Sequence, residues 1–377
     1  MVATVTVEQT DTEQQRRSPA GIAVIDTDTH HGYRKVTDLN PYLSTYYQAR
    51  LADYGTGGGG ISYANNGGVK GFRADALEDG KAPAGGGVNA VDPDRVRRQL
   101  LDACGIEFGI LTGGPMYGVA SGTDLDYANA LCRAFNDYTL EHWLPADPRF
   151  RYAMAVNAQD PAEAAREIDR VGDHPGIVAI MLPCGAPKAY GHRFYQPIHQ
   201  ACVRHNLTIA LHFGAEGAAT NPAPTAAGYP SYYIQARLAR PSFYQAHLCS
   251  FIFEGVFERF PTLKLAMLEG GFAWVPPYLW RMDADWKGLR HQTPWVKRLP
   301  SEYVRDHIRF GSQPMDDTEP PEALVDVVRW MSGERTLMFA ADYPHWDWDD
   351  PAQSFKALPP DLRQRIFWEN ARETFGL

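Results

Sequence analysis

The sequence predicts an α/β fold, a (β/α)8 TIM barrel carrying a long glycine-rich insertion after its first strand. Two observations lead there. From residue 22 onward, short apolar runs of strand length alternate eight times with longer segments of helical apolar spacing. The strand runs are nearly continuous in apolar residues, the mark of parallel strands buried on both faces. At this number of repeats, closure into a barrel is favoured over an open sheet.

The elements follow in order along the chain. The first strand is GIAVIDTD (21–28), and the first helix, VDPDRVRRQLLDAC (91–104), opens on Asp92-Pro93, a helix-start signal. Strand two, IEFGILTG (106–113), leads into DLDYANALCRAFNDYTLEHWL. Strand three, RYAMAVN (151–157), leads into DPAEAAREIDRV, which repeats the Asp-Pro start. GIVAIMLP (176–183), the helix YQPIHQACVRHN and LTIALHF (207–213) supply strands four and five with their connection. The apolar helix SFYQAHLCSFIFEGVFERF precedes strand six, LKLAMLEGG (263–271). WVPPYLWRMDADWKGL, strand seven IRFGSQP (308–314), EALVDVVRWM and strand eight TLMFAADY (336–343) complete the barrel, and DLRQRIFWENARETF closes the chain.

Residues 1–20 read as a disordered tail and 21–377 as one barrel domain with insertions at 32–92 and 214–242. The first insertion contains TGGGG, NNGG and AGGG. It leaves the C-terminal end of strand one, where barrel active sites lie, and serves either as a lid or substrate loop or as a mobile surface insertion. The second leaves strand five on the same face, and its Tyr229, Tyr232 and Tyr233 either line a substrate pocket or cover the rim.

With 44% hydrophobic and 21% charged residues, the chain has the balance of an ordinary globular protein. A net charge of −9 argues against nucleic acid or an anionic membrane as partner, because both are met by basic surfaces. Residues 1–20 lack the apolar stretch of a secretory signal, and no run approaches the length of a membrane span. The five cysteines stand singly, as in a reducing compartment, so a soluble cytoplasmic protein is expected. Trp274, Trp280 and Trp286 do not form one helical stripe; an oligomer interface is one use for them, and a homo-oligomer acting on a small-molecule substrate is expected.

The C-terminal ends of barrel strands converge on one mouth. Strand one ends in Asp26-Thr27-Asp28-Thr29-His30, and alternation lets Asp28 and His30 point together, with Asp26 one step earlier and His31 facing away. Strand five ends at His212, strand six at Glu269, and strand eight in Asp342-Tyr343-Pro344-His345. Any one of these residues alone is more readily a cap or a turn former. Their convergence on one side, in types that bind a hard or borderline divalent ion, points to a metal site, since several buried carboxylates repel one another without a cation.

IDTDTHH at strand one, LHFG at strand five, EGVFERFPTLKLAMLEGGFAWVPPYLWRMD and ADYPHWDWDDP, in this order, resemble the amidohydrolase superfamily. Within it they resemble the amidohydrolase-related branch that includes aminocarboxymuconate semialdehyde decarboxylase and resorcylate decarboxylases, from residue 22 to the end. The resemblance implies a metal held by Asp28, His30, His212 and Asp342. In two places the chain departs from the superfamily: its usual His-x-His reads Asp28-x-His30, a harder ligand set, and Glu269 stands where many relatives carry a catalytic His.

Glu269 and His247, the latter on the helix between strands five and six, are further candidate ligands. The expected cofactor is one or two divalent ions of zinc, manganese or iron. In a hydrolase the metal lowers the pKa of a bound water, Asp342 takes the water's proton, and Glu269 or His345 protonates the leaving group. Non-oxidative decarboxylation uses the same ion to hold a substrate carboxylate, and the sequence does not separate the two. A nonheme diiron oxygenase, resembling members recruited to terpenoid hydroxylation, stands second. A non-catalytic metal-containing binding barrel is the last alternative.

Overall fold

The computed structural model describes residues 21–56, 90–219 and 221–377; the N-terminal tail and most of the glycine-rich tract lie outside them. Eight strands form one sheet in chain order: β1 (Val24–His30), β2 (Ile106–Thr112), β3 (Phe150–Ala155), β4 (Ile177–Pro183), β5 (Thr208–His212), β6 (Leu265–Leu268), β7 (Ile308–Gly311) and β8 (Leu337–Met338). Every neighbouring pair is parallel. The segment after β8 returns to β1, where the Thr27 N–H donates to the Phe339 carbonyl (3.2 Å) and the His30 N–H to that of Tyr343 (2.8 Å). These bonds close the sheet into a barrel.

Three helices begin where the sequence predicts, because a side chain satisfies a free N–H group of the first turn. Asp92 accepts from the Asp94 N–H, Asp124 from that of Tyr127 and Asp160 from that of Glu163, with Pro93 and Pro161 in the first turn of their helices. Alternate strand residues then separate into two layers. Ile25, Ile110, Ala179, Met181, Ala210, Ala266 and Met338 belong to one buried cluster, the barrel interior. Ile180, Leu182, Ile209, Leu211, Met267 and Phe310 belong to another, between strands and helices. The interior residues named are alanine, isoleucine and methionine, and their side chains fill the narrow lumen of an eight-stranded barrel.

Strand eight is shorter than expected, two residues where 336–343 reads as strand. The Phe339 N–H turns to the Ile366 carbonyl, and Asp342 takes a left-handed φ of 58° that ends the extended run. Strand six stops before Glu269 for the same reason, at φ 56°. Both insertions hold more regular structure than expected. Within 32–92, a 3-10 turn at Val36–Tyr42 and a helix at Thr45–Tyr54 bury Leu39 and Leu51, and the Tyr127 hydroxyl binds the Gly55 carbonyl at 2.7 Å. Within 214–242, Tyr233–Leu238 is helical, and the long apolar helix starts at Arg240, two residues before Ser242.

Candidate active site

The alternation of β1 carries Asp28 and His30 to the mouth, where β5 delivers His212 and the segment after β8 delivers Asp342. One ligand-capable atom from each lies within 4.8 Å of all the others, and all four side chains are buried. His212 Nε2 stands 3.1 Å from Asp28 Oδ2, and His30 Nε2 stands 2.9 Å from Asp342 Oδ1. Outer contacts fix these groups in turn. Thr112, at the end of β2, donates to Asp28 Oδ1 at 2.8 Å, and His212 Nδ1 lies 2.7 Å from the Phe213 carbonyl. A proton held there on Nδ1 leaves Nε2 facing the cluster.

A second group, Glu269, Asp342 and His345, overlaps the first through Asp342. His345 Nδ1 approaches Asp342 Oδ1 to 2.7 Å, and Glu269 Oε2 lies 3.3 Å from His212 Nε2. The other Glu269 oxygen accepts a 2.6 Å bond from Arg240 Nη1. Glu269 and Asp342, the two carboxylates just past their strands, both sit in left-handed backbone. For residues other than glycine that conformation costs on the order of 1 kcal/mol or more, and it aims both carboxylates inward.

Burial opposes charge throughout the cluster, and the groups answer it by facing one another. Burial disfavours the His212 imidazolium, yet Asp28 and Glu269 hold its pKa up at about 9. Burial works against the Asp28 carboxylate too, but His212 and His30 keep its pKa below the ordinary value. Asp342 is likewise held low, by His345 and His30 against burial. Asp26, by contrast, is pushed up to about 7 by burial, and it accepts bonds from the Thr29 hydroxyl and the Asp28 and Ala341 amides. It braces β1 against the segment after β8.

The residues present fit a divalent cation. The Asp342 carboxylate is fully buried, its near neighbours are imidazole nitrogens, and neither oxygen accepts an aligned hydrogen bond. A buried carboxylate left so is costly unless a cation meets it. Two carboxylates and two imidazoles form a mixed oxygen and nitrogen donor set suited to manganese, iron or zinc.

His247 does not belong to the cluster, contrary to the sequence-based expectation. Its Nδ1 accepts the Tyr190 N–H at 3.1 Å, its Nε2 lies 2.8 Å from the Cys184 carbonyl, and its ring stacks on Tyr190. Both nitrogens are engaged, so no ligand atom remains. Tyr229 and Tyr232 are 57% and 69% exposed, on the rim. Tyr233 reaches inward, its hydroxyl 3.3 Å from Arg240 Nη2. His31 faces away as expected, 3.0 Å from the Thr139 hydroxyl among Phe135, Trp143 and Tyr152.

Three residues at the site escaped the sequence reading: Thr112, Tyr117 and Arg240. Tyr117 stacks on His212 with ring centroids 4.7 Å apart, and burial beside Asp28 lifts its phenol well above the usual range. Of the three, Arg240 left a signal, a lone arginine opening an apolar helix, which burial obliges to find a carboxylate.

Comparison with known proteins follows the same lines. A family model described as Amidohydrolase matches residues 97–377. Gamma-resorcylate decarboxylase from a Polaromonas species is 26% identical over 304 residues, which is 74% of this chain and 86% of that protein. The gamma-resorcylate decarboxylase of a Rhizobium species is 25% identical over 307 residues, 76% of this chain and 88% of its own. Among solved structures, 5-carboxyvanillate decarboxylase from Novosphingobium aromaticivorans, complexed with manganese and 4-hydroxy-3-methoxy-5-nitrobenzoic acid, superposes with a TM-score of 0.68 at 21% identity, covering 96% of this chain and 99% of its own. A Polaromonas dihydroxybenzoic acid decarboxylase with manganese and 2-nitroresorcinol gives 0.63 at 20% identity, over 94% and 97%.

Proposed function

The chain belongs to the amidohydrolase family, and from that premise we propose that it is a metal-dependent, non-oxidative decarboxylase of a small, ring-containing carboxylate. The observation that carries the reading is the buried cluster of Asp28, His30, His212 and Asp342 at the barrel mouth, in a chain whose relatives are named as decarboxylases. Those names favour carbon–carbon cleavage over hydrolysis, over diiron oxygenation and over a non-catalytic barrel. The manganese in two of the similar structures favours one manganese ion here.

Asp28, His30, His212 and Asp342 would hold the ion, which would supply positive charge to offset that of the substrate carboxylate. The remaining work falls to the chain. Thr112 and the Phe213 carbonyl hold Asp28 and His212 in their rotamers, so orientation is set before substrate arrives. Tyr117 covers one face of His212 and keeps water from it. As the bond from ring carbon to carboxylate breaks, its electron pair stays on the ring carbon, carbon dioxide leaves, and that carbon takes a proton. His345, 16% exposed and 2.7 Å from Asp342, is the acid that gives that proton and takes its replacement from solvent.

Two further features support an oligomeric, intracellular protein. Trp280 and Trp330, 56% and 57% exposed, pack together at 5.9 Å on the outer helices and present an apolar face suited to a second copy. All five cysteines are free, as a reducing compartment favours. Among the described residues, no helix is long and apolar enough to cross a membrane.

The test is anaerobic turnover. Protein loaded with manganese is incubated with 2,6-dihydroxybenzoate and with 5-carboxyvanillate under argon, and carbon dioxide is measured. Release without oxygen is expected from at least one acid; turnover that requires dioxygen, or no release from either, contradicts the reading.

A further inference from the structure

The segment after β2 carries one aromatic ring onto the metal cluster. Gly113, Gly114 and Pro115 turn the chain, with the Met116 N–H on the Gly113 carbonyl at 2.9 Å and the Tyr117 N–H on that of Gly114 at 3.2 Å. In the short helix that follows, Met116–Val119, both end residues are buried in the core between strands and helices, while Tyr117 packs on the barrel interior. Asn221 ties this segment to the one leaving β5. Its Nδ2 lies 3.0 Å from Ser121 Oγ, 3.0 Å from the Gly185 carbonyl and 2.8 Å from that of Ala215.

Tyr117 ends a row of four touching rings. It lies at 26° to His212 with centroids 4.7 Å apart; His212 meets His30 edge-on at 4.8 Å, and His30 meets His345 at 4.1 Å. The two imidazoles of the cluster stand in the middle. The contact of His212 Nδ1 with the Phe213 carbonyl acts at one atom of the ring. A flat ring laid on its face is what opposes tilt. Gly214, two residues past His212 and at φ 151°, admits that ring. A Cβ there would come 3.0 Å from Tyr117 Cδ2 and 3.1 Å from its Cβ, tighter than side chains ordinarily pack.

We propose that Tyr117 is a positioning residue for the metal: its ring, seated by Gly214, holds the plane of His212 so that Nε2 faces the cluster. The electron-rich face also favours the positive charge that the imidazole shares with a bound ion. The ring does this work and the hydroxyl does not. The assignment rests on the reading of the cluster as a metal site and is independent of the reaction.

The experiment compares wild type, Tyr117→Phe and Tyr117→Leu by manganese titration calorimetry, by the visible absorption of the cobalt-loaded proteins and by Tm without metal. Phenylalanine keeps the face and drops the hydroxyl; leucine removes the face. Tyr117→Leu is expected to bind manganese about 10- to 100-fold more weakly, as for other groups that orient a ligand, with an altered cobalt spectrum. Tyr117→Phe should stay within about threefold of the wild type and keep its spectrum. A role in packing alone would lower the Tm of Tyr117→Leu and leave affinity and spectrum unchanged, and that result overturns the proposal. So does an equal loss of affinity in Tyr117→Phe. Should Tyr117→Leu not fold, Gly214→Ala, which crowds the ring from its seat, must show the same weakening, and unchanged affinity there overturns the proposal. A wild type that binds no manganese overturns the cluster reading and this one together, whereas wild-type binding that Tyr117→Leu retains overturns this one alone.

Discussion

The protein buries histidines in two regions, and they are treated in opposite ways. Between strands and helices, His31 faces the Thr139 hydroxyl, while His199, His247 and His307 each reach backbone carbonyls. At the barrel mouth, His30 and His212 face carboxylates instead. Burial pushes His247 down to about 4, whereas Asp28 and Glu269 overcome burial and hold His212 up at about 9. Burial alone therefore does not mark a functional histidine. What marks it is a carboxylate that has no other reason to be buried.

That contrast can be broken by substitution, with bound metal as the common readout. Asp342→Asn has the largest expected effect, because it removes the charge shared by both overlapping groups. Metal content should fall to background and turnover by about a thousandfold or more, the equivalent of several kcal/mol of lost charge stabilisation. Proton competition comes next. On the proposed ligation His212 binds the ion as a neutral imidazole, and its pKa is held up at about 9 in the metal-free cluster, so apparent metal affinity should rise about tenfold per pH unit from 7 towards 9. Isothermal titration in buffers of different ionisation heat should show the released proton, and a pH-independent affinity would break the contrast.

Thr112→Val removes the bond that orients Asp28 and should weaken metal binding about 10- to 100-fold, as for other groups that orient a ligand. His247→Ala is expected to leave metal content unchanged while costing about 2–4 kcal/mol of stability through a lost bond and a cavity; denaturant unfolding beside metal analysis separates the two. The smallest effect sharpens the same comparison in metal-free protein. The His212 pKa is raised above the ordinary 6.5, so its contribution to stability is full below pH 6.5 and is lost as pH rises through about 9. For His247 the pKa is lowered, so its contribution is present above pH 6.5 and is lost as pH falls through about 4. Tm followed from pH 4 to 10 should therefore decline at both ends, and metal should abolish the alkaline decline.

The barrel was legible because its strands are apolar on both faces and its helices open on Asp92-Pro93 and Asp160-Pro161, signals that act locally. The converging residues were legible for a related reason: a parallel barrel turns strand ends into neighbours, so Asp28, His212, Glu269 and Asp342 were placed together by position alone. His247 was not, because its fate depends on the Tyr190 amide and the Cys184 carbonyl, backbone groups on a distant loop that no spacing reports. Arg240 and Thr112 act on the cluster through another side chain, and such partners have no fixed offset in sequence. The left-handed backbone at Glu269 and Asp342 was equally hidden, since neither residue is glycine.

Metal analysis of the wild type beside Asp342→Asn tests the central claim most directly. Both are purified without added metal, dialysed against manganese and measured by mass spectrometry of the element, with circular dichroism as the check on folding. The wild type should retain manganese at about one ion per chain, and the folded variant should retain none. A folded Asp342→Asn protein that keeps the wild-type amount would contradict the assignment of the cation to the cluster of Asp28, His30, His212 and Asp342.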